Sequence, residues 1–116
     1  MRITKKAKAM GLIPMPKKCN RCGQDKGILH SHNEDYDFTL NILPKYMTGE
    51  KLLDDVARDK VENCLEPICW TCHMIHHKKH RNKEAHDEYF RRVYEEGFVP
   101  PPVFKHNWAI LKQYGF

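Results

Sequence analysis

The apolar positions change period several times along this chain, and each change predicts an element. Residues 27–32 (Gly-Ile-Leu-His-Ser-His) read as a short strand, with Ile28, His30 and His32 on one face by the period of two. Asn33 to Tyr36 is polar and turn-like. Phe38 to Leu43 is expected to form a second strand, stopped by Pro44. Thr48 is the expected N-cap of a helix over 49–62, with Leu53, Val56, Ala57, Lys60 and Val61 as its buried stripe. Pro67 interrupts. A helix then starts near Thr71 or Cys72 and passes His77 toward Arg81. It either continues or yields at Asn82, as a cap, to a helix over 83–96 that Gly97 stops. After the stiff run Pro100-Pro101-Pro102, Asn107 caps a last turn, Trp108 to Tyr114, closed by Gly115. Trp108, Ile110 and Leu111 are expected to pack back on the body.

No repeat and no low-complexity tract interrupts this order. At 116 residues the chain fits one small domain, too short for a nucleotide fold with a separate substrate domain. The expected organisation is a basic N-terminal arm over 1–18, a central domain over 19–97 with a helical insertion at about 49–62, and a Pro-rich linker with a short helix over 98–116. Mean hydropathy is −0.74 and no apolar run approaches a membrane span. With no secretory signal pattern either, the expectation is a cytoplasmic protein without a membrane partner.

Charge sharpens the picture because it is uneven. The net charge is +5. Residues 1–18 carry Arg2, Lys5, Lys6, Lys8, Lys17 and Lys18 with no acid, and Lys78, Lys79, Arg81 and Lys83 form a second basic run. Residues 33–66 are acidic. Two basic patches flanking an acidic segment suggest a polyanionic partner, against the plainer reading of a solvated surface.

So small a core calls for a staple. Cys19-x-x-Cys22 and Cys69-x-x-Cys72 can offer four thiolates to one tetrahedral zinc, a closed and therefore structural set. Cys64 is left over as a small apolar residue. The second pair runs on into Cys72-His73-Met74-Ile75-His76-His77. On a helix His73 and His77 stand at i and i+4 and can share a divalent ion. His30 and His32 point the same way from the strand. Three imidazoles could hold an open metal site, and a fourth could take a proton from water.

Cys-x-x-Cys-Gly, a strand ending in His, Glu34-Asp35-Tyr36 and then Cys-x-x-Cys-His-x-x-x-His together resemble the HNH (His-Me finger) endonucleases. The nearest type is the small zinc-knuckle form common in bacteriophages, more distantly like recombination endonuclease VII and the colicin DNases. The resemblance covers residues 19 to about 80. It implies a small α+β fold: a ββα-metal core stapled by a four-cysteine zinc site, with additional helices. It further implies metal-dependent cleavage or nicking of DNA, double-stranded, in the cytoplasm of a bacterial host, with a homodimer left open. The structural ion is Zn²⁺; the catalytic ion is Mg²⁺, Mn²⁺, Ni²⁺ or Zn²⁺. By position His73 and His77 match the helix ligands, and Asn63 matches a loop-bracing Asn or is a plain helix C-cap.

Two departures stand out. The family carries adjacent residues at the strand end, ligand then base, where this chain has His30-Ser31-His32-Asn33. Aligning on Asp35-Tyr36 puts His32 at the ligand place and Asn33 at the base; one inserted residue makes His32 the base and His30 the ligand, and the second is adopted here. The other departure is the long acidic stretch between the Cys pairs. Lys5, Lys6, Lys8, Lys17, Lys18, Lys78, Lys79 and Arg81 are the expected phosphate contacts. The competing reading is a non-catalytic zinc module on the same scaffold that binds nucleic acid or a host protein.

Overall fold

The computed structural model describes residues 2–116; the side chain of Arg2, counted above in the basic run, lies outside the described residues. The protein is a small α+β fold. In order come α1 (Arg2–Ala9), β1 (Leu29–Asn33), a π-helical turn (Phe38–Ile42), α2 (Leu43–Met47), α3 (Asp55–Glu62), β2 (Leu65–Cys69), α4 (Trp70–His77), α5 (Lys83–Glu96) and a 3-10 segment (Trp108–Tyr114). β1 and β2 pair as a two-stranded antiparallel sheet.

The chain divides into two compact units, neither continuous in sequence. Unit one comprises residues 1–15 and 31–66; unit two comprises 16–30 and 67–116.

Unit one is helical around Ala7, Ile13, Phe38, Leu43, Val61 and Leu65. Within the basic arm, residues 2–9 form a helix with Ala7 buried. Two expectations are corrected here. Residues 38–43 are helical, not a strand. The Asp35 carboxylate accepts the Phe38 N–H at 3.0 Å, and Pro44 occupies the first turn of α2, where its missing N–H costs nothing. The third helix begins at Asp55, not 49. Its cap is Asp54, whose carboxylate accepts from Ala57 N at 2.8 Å, while Gly49 breaks the preceding chain at φ +79°. The buried stripe is narrower than the pattern predicts. Val61 is buried, but Val56 is 81% exposed. The Lys60 ammonium lies 5.4 Å from the Phe38 ring centre.

Unit two packs Ile68, Trp70, Ile75, Tyr89, Phe90, Val93, Val103 and Leu111 around the cysteines. α4 ends at His77, with Lys78 as its C-cap, instead of continuing to Arg81; the caps and stops that follow hold. Asn82 caps α5 by accepting from Ala85 N at 3.1 Å, and Gly97 ends it at φ +69°. Asn107 caps the last segment and Leu111 is buried. The proline run ties in as well: the Pro100 carbonyl accepts from Gln24 Nε2 at 2.8 Å, and Val103 O accepts from Ile28 N at 2.6 Å.

Candidate metal centre

Both cysteine pairs lie in unit two, each built by a tight turn that aims N–H groups at sulfur. The Cys19 sulfur accepts from Arg21 N at 3.4 Å and Cys22 N at 3.5 Å; the Cys22 sulfur accepts from Gln24 N at 3.4 Å. Gly23 permits the first turn by taking φ +85°. In the second pair Cys69 is both the last residue of β2 and the N-cap of α4, its sulfur accepting from Cys72 N at 3.5 Å. The strand-to-helix junction thus places Cys69 and Cys72 opposite the first turn.

All four sulfurs lie within 4.8 Å of one another, with Cys22 and Cys69 at 3.7 Å. Zinc–sulfur bonds of about 2.3 Å in a tetrahedron put the sulfurs roughly 3.8 Å apart, so the cluster has the dimensions of a zinc tetrathiolate. It is no disulfide framework, for all five cysteines are free. The acid–base balance points the same way. Cys19 is pulled far below the ordinary thiol range by hydrogen bonds from the thiols of Cys22, Cys69 and Cys72. Cys72 is pushed far above it by Cys19, Cys22 and Cys69 and by burial. Thiolates so close oppose one another, and a cation at the centre would relieve the opposition. Four cysteines so placed can hold a metal such as zinc. Tyr89 is an unforeseen partner: its hydroxyl lies 3.0 Å from the Cys72 sulfur, at the core of α5. Its place in the apolar stripe with Phe90 and Val93 is the only sign of it in the sequence.

One turn further along α4 the imidazoles gather. His73 Nε2 and His77 Nε2 are 2.9 Å apart, and His30 Nδ1 reaches His73 Nδ1 at 2.8 Å. His73 thus meets His77 through one ring nitrogen and His30 through the other. Two imidazole nitrogens on one cation lie about 3.0–3.4 Å apart, so the His73–His77 pair needs little adjustment to share one. His30 approaches from the side opposite His77. Arg21 Nη1 donates to His76 Nδ1 at 3.1 Å, which engages His76 elsewhere. Beyond His30 stands His106, ring centres 6.3 Å apart, stacked on Trp70 at 6.1 Å.

His32, Asn33, Asn63 and Cys64 belong to unit one. His32 is buried, and its Nε2 lies 3.0 Å from Glu34 Oε1. Asn33 is buried too. Its Oδ1 accepts from Thr39 Oγ1 at 3.1 Å, while Nδ2 has no hydrogen-bond partner among the described residues. Asn63 is the exposed C-cap of α3, its Nδ2 donating to Asp59 O at 2.8 Å. Cys64 is half-buried, and burial raises its thiol. Of the expected phosphate contacts, Lys5, Lys6 and Lys8 sit on α1. Lys17 and Lys18 precede the first cysteine turn, and Lys78, Lys79 and Arg81 follow α4. Lys8 and Lys78 are half-buried and the others exposed.

No helix among the described residues is long and apolar enough to cross a membrane. No protein-family model, no curated protein and no solved structure matches the chain.

Proposed function

We propose that this protein is a metal-dependent endonuclease or nickase of the HNH type, acting on DNA phosphodiester bonds. The observation that carries the reading is the His30–His73–His77 contact chain on a helix that opens with two cysteines of the sulfur cluster. A structural site and an open imidazole site one helical turn apart are the two parts such a nuclease needs. The order strand, strand, helix given by β1, β2 and α4 is in keeping with a ββα-metal core. Cys19, Cys22, Cys69 and Cys72 hold the structural zinc. His73 and His77 hold a second divalent ion through Nε2, and His30 orients His73 through Nδ1. That ion supplies positive charge for the scissile phosphate and the departing 3′ oxygen.

His32, two residues beyond His30 on β1, is the base. Glu34 Oε1 lies 3.0 Å from Nε2, and with the proton on that nitrogen Nδ1 would act as the base. The ring takes a proton from water as the water oxygen bonds to phosphorus and the bond to the 3′ oxygen breaks, and the departing oxygen takes a proton from solvent. The products carry a 5′-phosphate and a 3′-hydroxyl. The basic residues of α1 and those after α4 are phosphate contacts in this reading.

Supercoiled plasmid incubated with the zinc-loaded protein and Mg²⁺, Mn²⁺ or Ni²⁺ tests this. Nicked circles are expected, and His32→Ala should slow their formation roughly a hundredfold or more with zinc content unchanged. Absence of nicking with every metal would remove the enzyme and leave the non-catalytic zinc module.

A further inference from the structure

The last segment of the chain places an aromatic shelf beside the imidazole cluster, and nothing in the proposed chemistry uses it. Trp70 is 1% exposed and sits at the start of α4, one turn before His73. Trp108 packs its ring against Trp70 at 5.3 Å between centres yet remains 58% exposed. Phe104 is 74% exposed on the same segment, and His106 stacks on Trp70 while its ring lies 6.3 Å from that of His30. The shelf is therefore continuous with the imidazoles through Trp70 and His106.

The two stretches of chain that build it carry charge of one sign. From Pro67 to Lys83, and again from Gly97 to Phe116, the sequence contains no Asp or Glu. The same stretches carry Lys78, Lys79, Arg81, Lys83, Lys105 and Lys112. The Lys78 ammonium lies 5.7 Å from the centre of the Trp108 ring. A flat, largely exposed ring with a cation over it, which an incoming base would displace toward its own phosphate, and no carboxylate in its segment suits a ligand that is at once aromatic and anionic.

We infer that Trp108 is a stacking platform for an unpaired nucleobase, with Lys78 taking that nucleotide's phosphate. A duplex interior hides its base faces, so only a frayed end, overhang or branch point offers one to such a ring; stacking of this kind tolerates any base. The inference rests on the nucleic-acid reading above and narrows it to substrates with an unpaired residue next to the phosphate engaged at the imidazoles.

Binding is measured with the full zinc-loaded chain and no added divalent ion, so that hydrolysis plays no part. The probes are a blunt DNA duplex, the same duplex with a single-stranded overhang, and the overhang strand alone. Tryptophan emission should be quenched by the two probes with unpaired bases and not by the blunt duplex. Trp108→Ala should weaken those two by about tenfold and leave the blunt duplex within about twofold, while Trp108→Phe restores most of the loss. Lys78→Ala should lower the salt dependence for the overhang. Equal affinity of Trp108→Ala and the parent for all three probes overturns the inference, as does an equal loss on all three. Nicking with no effect of Trp108 would leave the hydrolase and remove the platform. Selective binding without nicking under any metal would do the reverse, and binding to none of the probes would remove both.

Discussion

The hydroxyl of Tyr89 and the sulfur of Cys72 lie 3.0 Å apart, and both residues are buried. In a zinc tetrathiolate that hydroxyl donates to a metal-bound sulfur, so the longest helix is fastened to the ion through one hydrogen bond. Tyr89→Phe keeps the ring and removes the donor. It should cost about 1 kcal/mol of stability and speed zinc transfer to a chromogenic chelator. An unchanged transfer rate would show that the contact does not bear on the metal.

Cys69 is the N-cap of α4 and, in the proposed zinc site, a sulfur donor as well. Serine retains a cap and loses the thiolate. Cys69→Ser should therefore purify without zinc and lose its cooperative thermal transition, as should the parent after exhaustive chelation. A metal-free variant with the parent's circular dichroism and melting curve would refute the structural assignment.

Gly27 and Gly23 make a matched pair. Both take positive φ, but a β-carbon at Gly27 would meet the Val103 carbonyl oxygen at 2.5 Å, whereas at Gly23 no atom lies within 4 Å. Gly23→Ala should cost only the backbone penalty, about 1 kcal/mol. Gly27→Ala must also push the 100–103 segment off Ile28 and break the Ile28 N–Val103 O bond. It should cost about 2 kcal/mol more, read by denaturant unfolding.

The imidazole chain separates ligand from support. His77→Ala should abolish tight Mn²⁺ binding, measured by calorimetry on the zinc-loaded protein. His30→Ala should weaken it roughly 10–100-fold, the usual effect of removing a residue that orients a ligand. Equal loss in both variants would make His30 a direct ligand.

Asp87 supplies a pH prediction. The Lys83 ammonium, 2.7 Å away, and then His86 hold its carboxyl at about 2, below the ordinary 3.8. A depressed folded-state value means that its contribution to α5 is complete above the ordinary value and is lost as the pH falls through about 2. Lys83→Ala should return the carboxyl resonance of Asp87 toward 3.8 in an NMR titration.

The features that can be read from the chain alone are those written in a few neighbouring residues. The two Cys-x-x-Cys turns, the Asn82 and Asn107 caps and the Gly97 stop all depend on side chains within about four positions, and all stand in the structure. The failures have equally local causes. Phe-Thr-Leu-Asn-Ile-Leu suits a strand or a buried helix equally, and Pro44 starts a helix where the pattern predicts the stop of a strand. Gly49 and Asp54 outweigh a stripe that Val56 only mimics. The nearness of His73 to His77 follows from helical spacing. The contact of His73 with His30 spans 43 residues, and the pairing of Tyr89 with Cys72 has no counterpart in any motif.

The 47-residue separation of Cys69 from Cys22 has a consequence for synthesis. At about 5–20 residues per second the ribosome delivers the second sulfur pair roughly 2–9 s after the first. Through that interval the nascent chain presents Cys19 and Cys22 as a bare dithiol, open to oxidants and to stray soft metals. Correct assembly is then a race between the arriving Cys69 and anything else that reacts with sulfur.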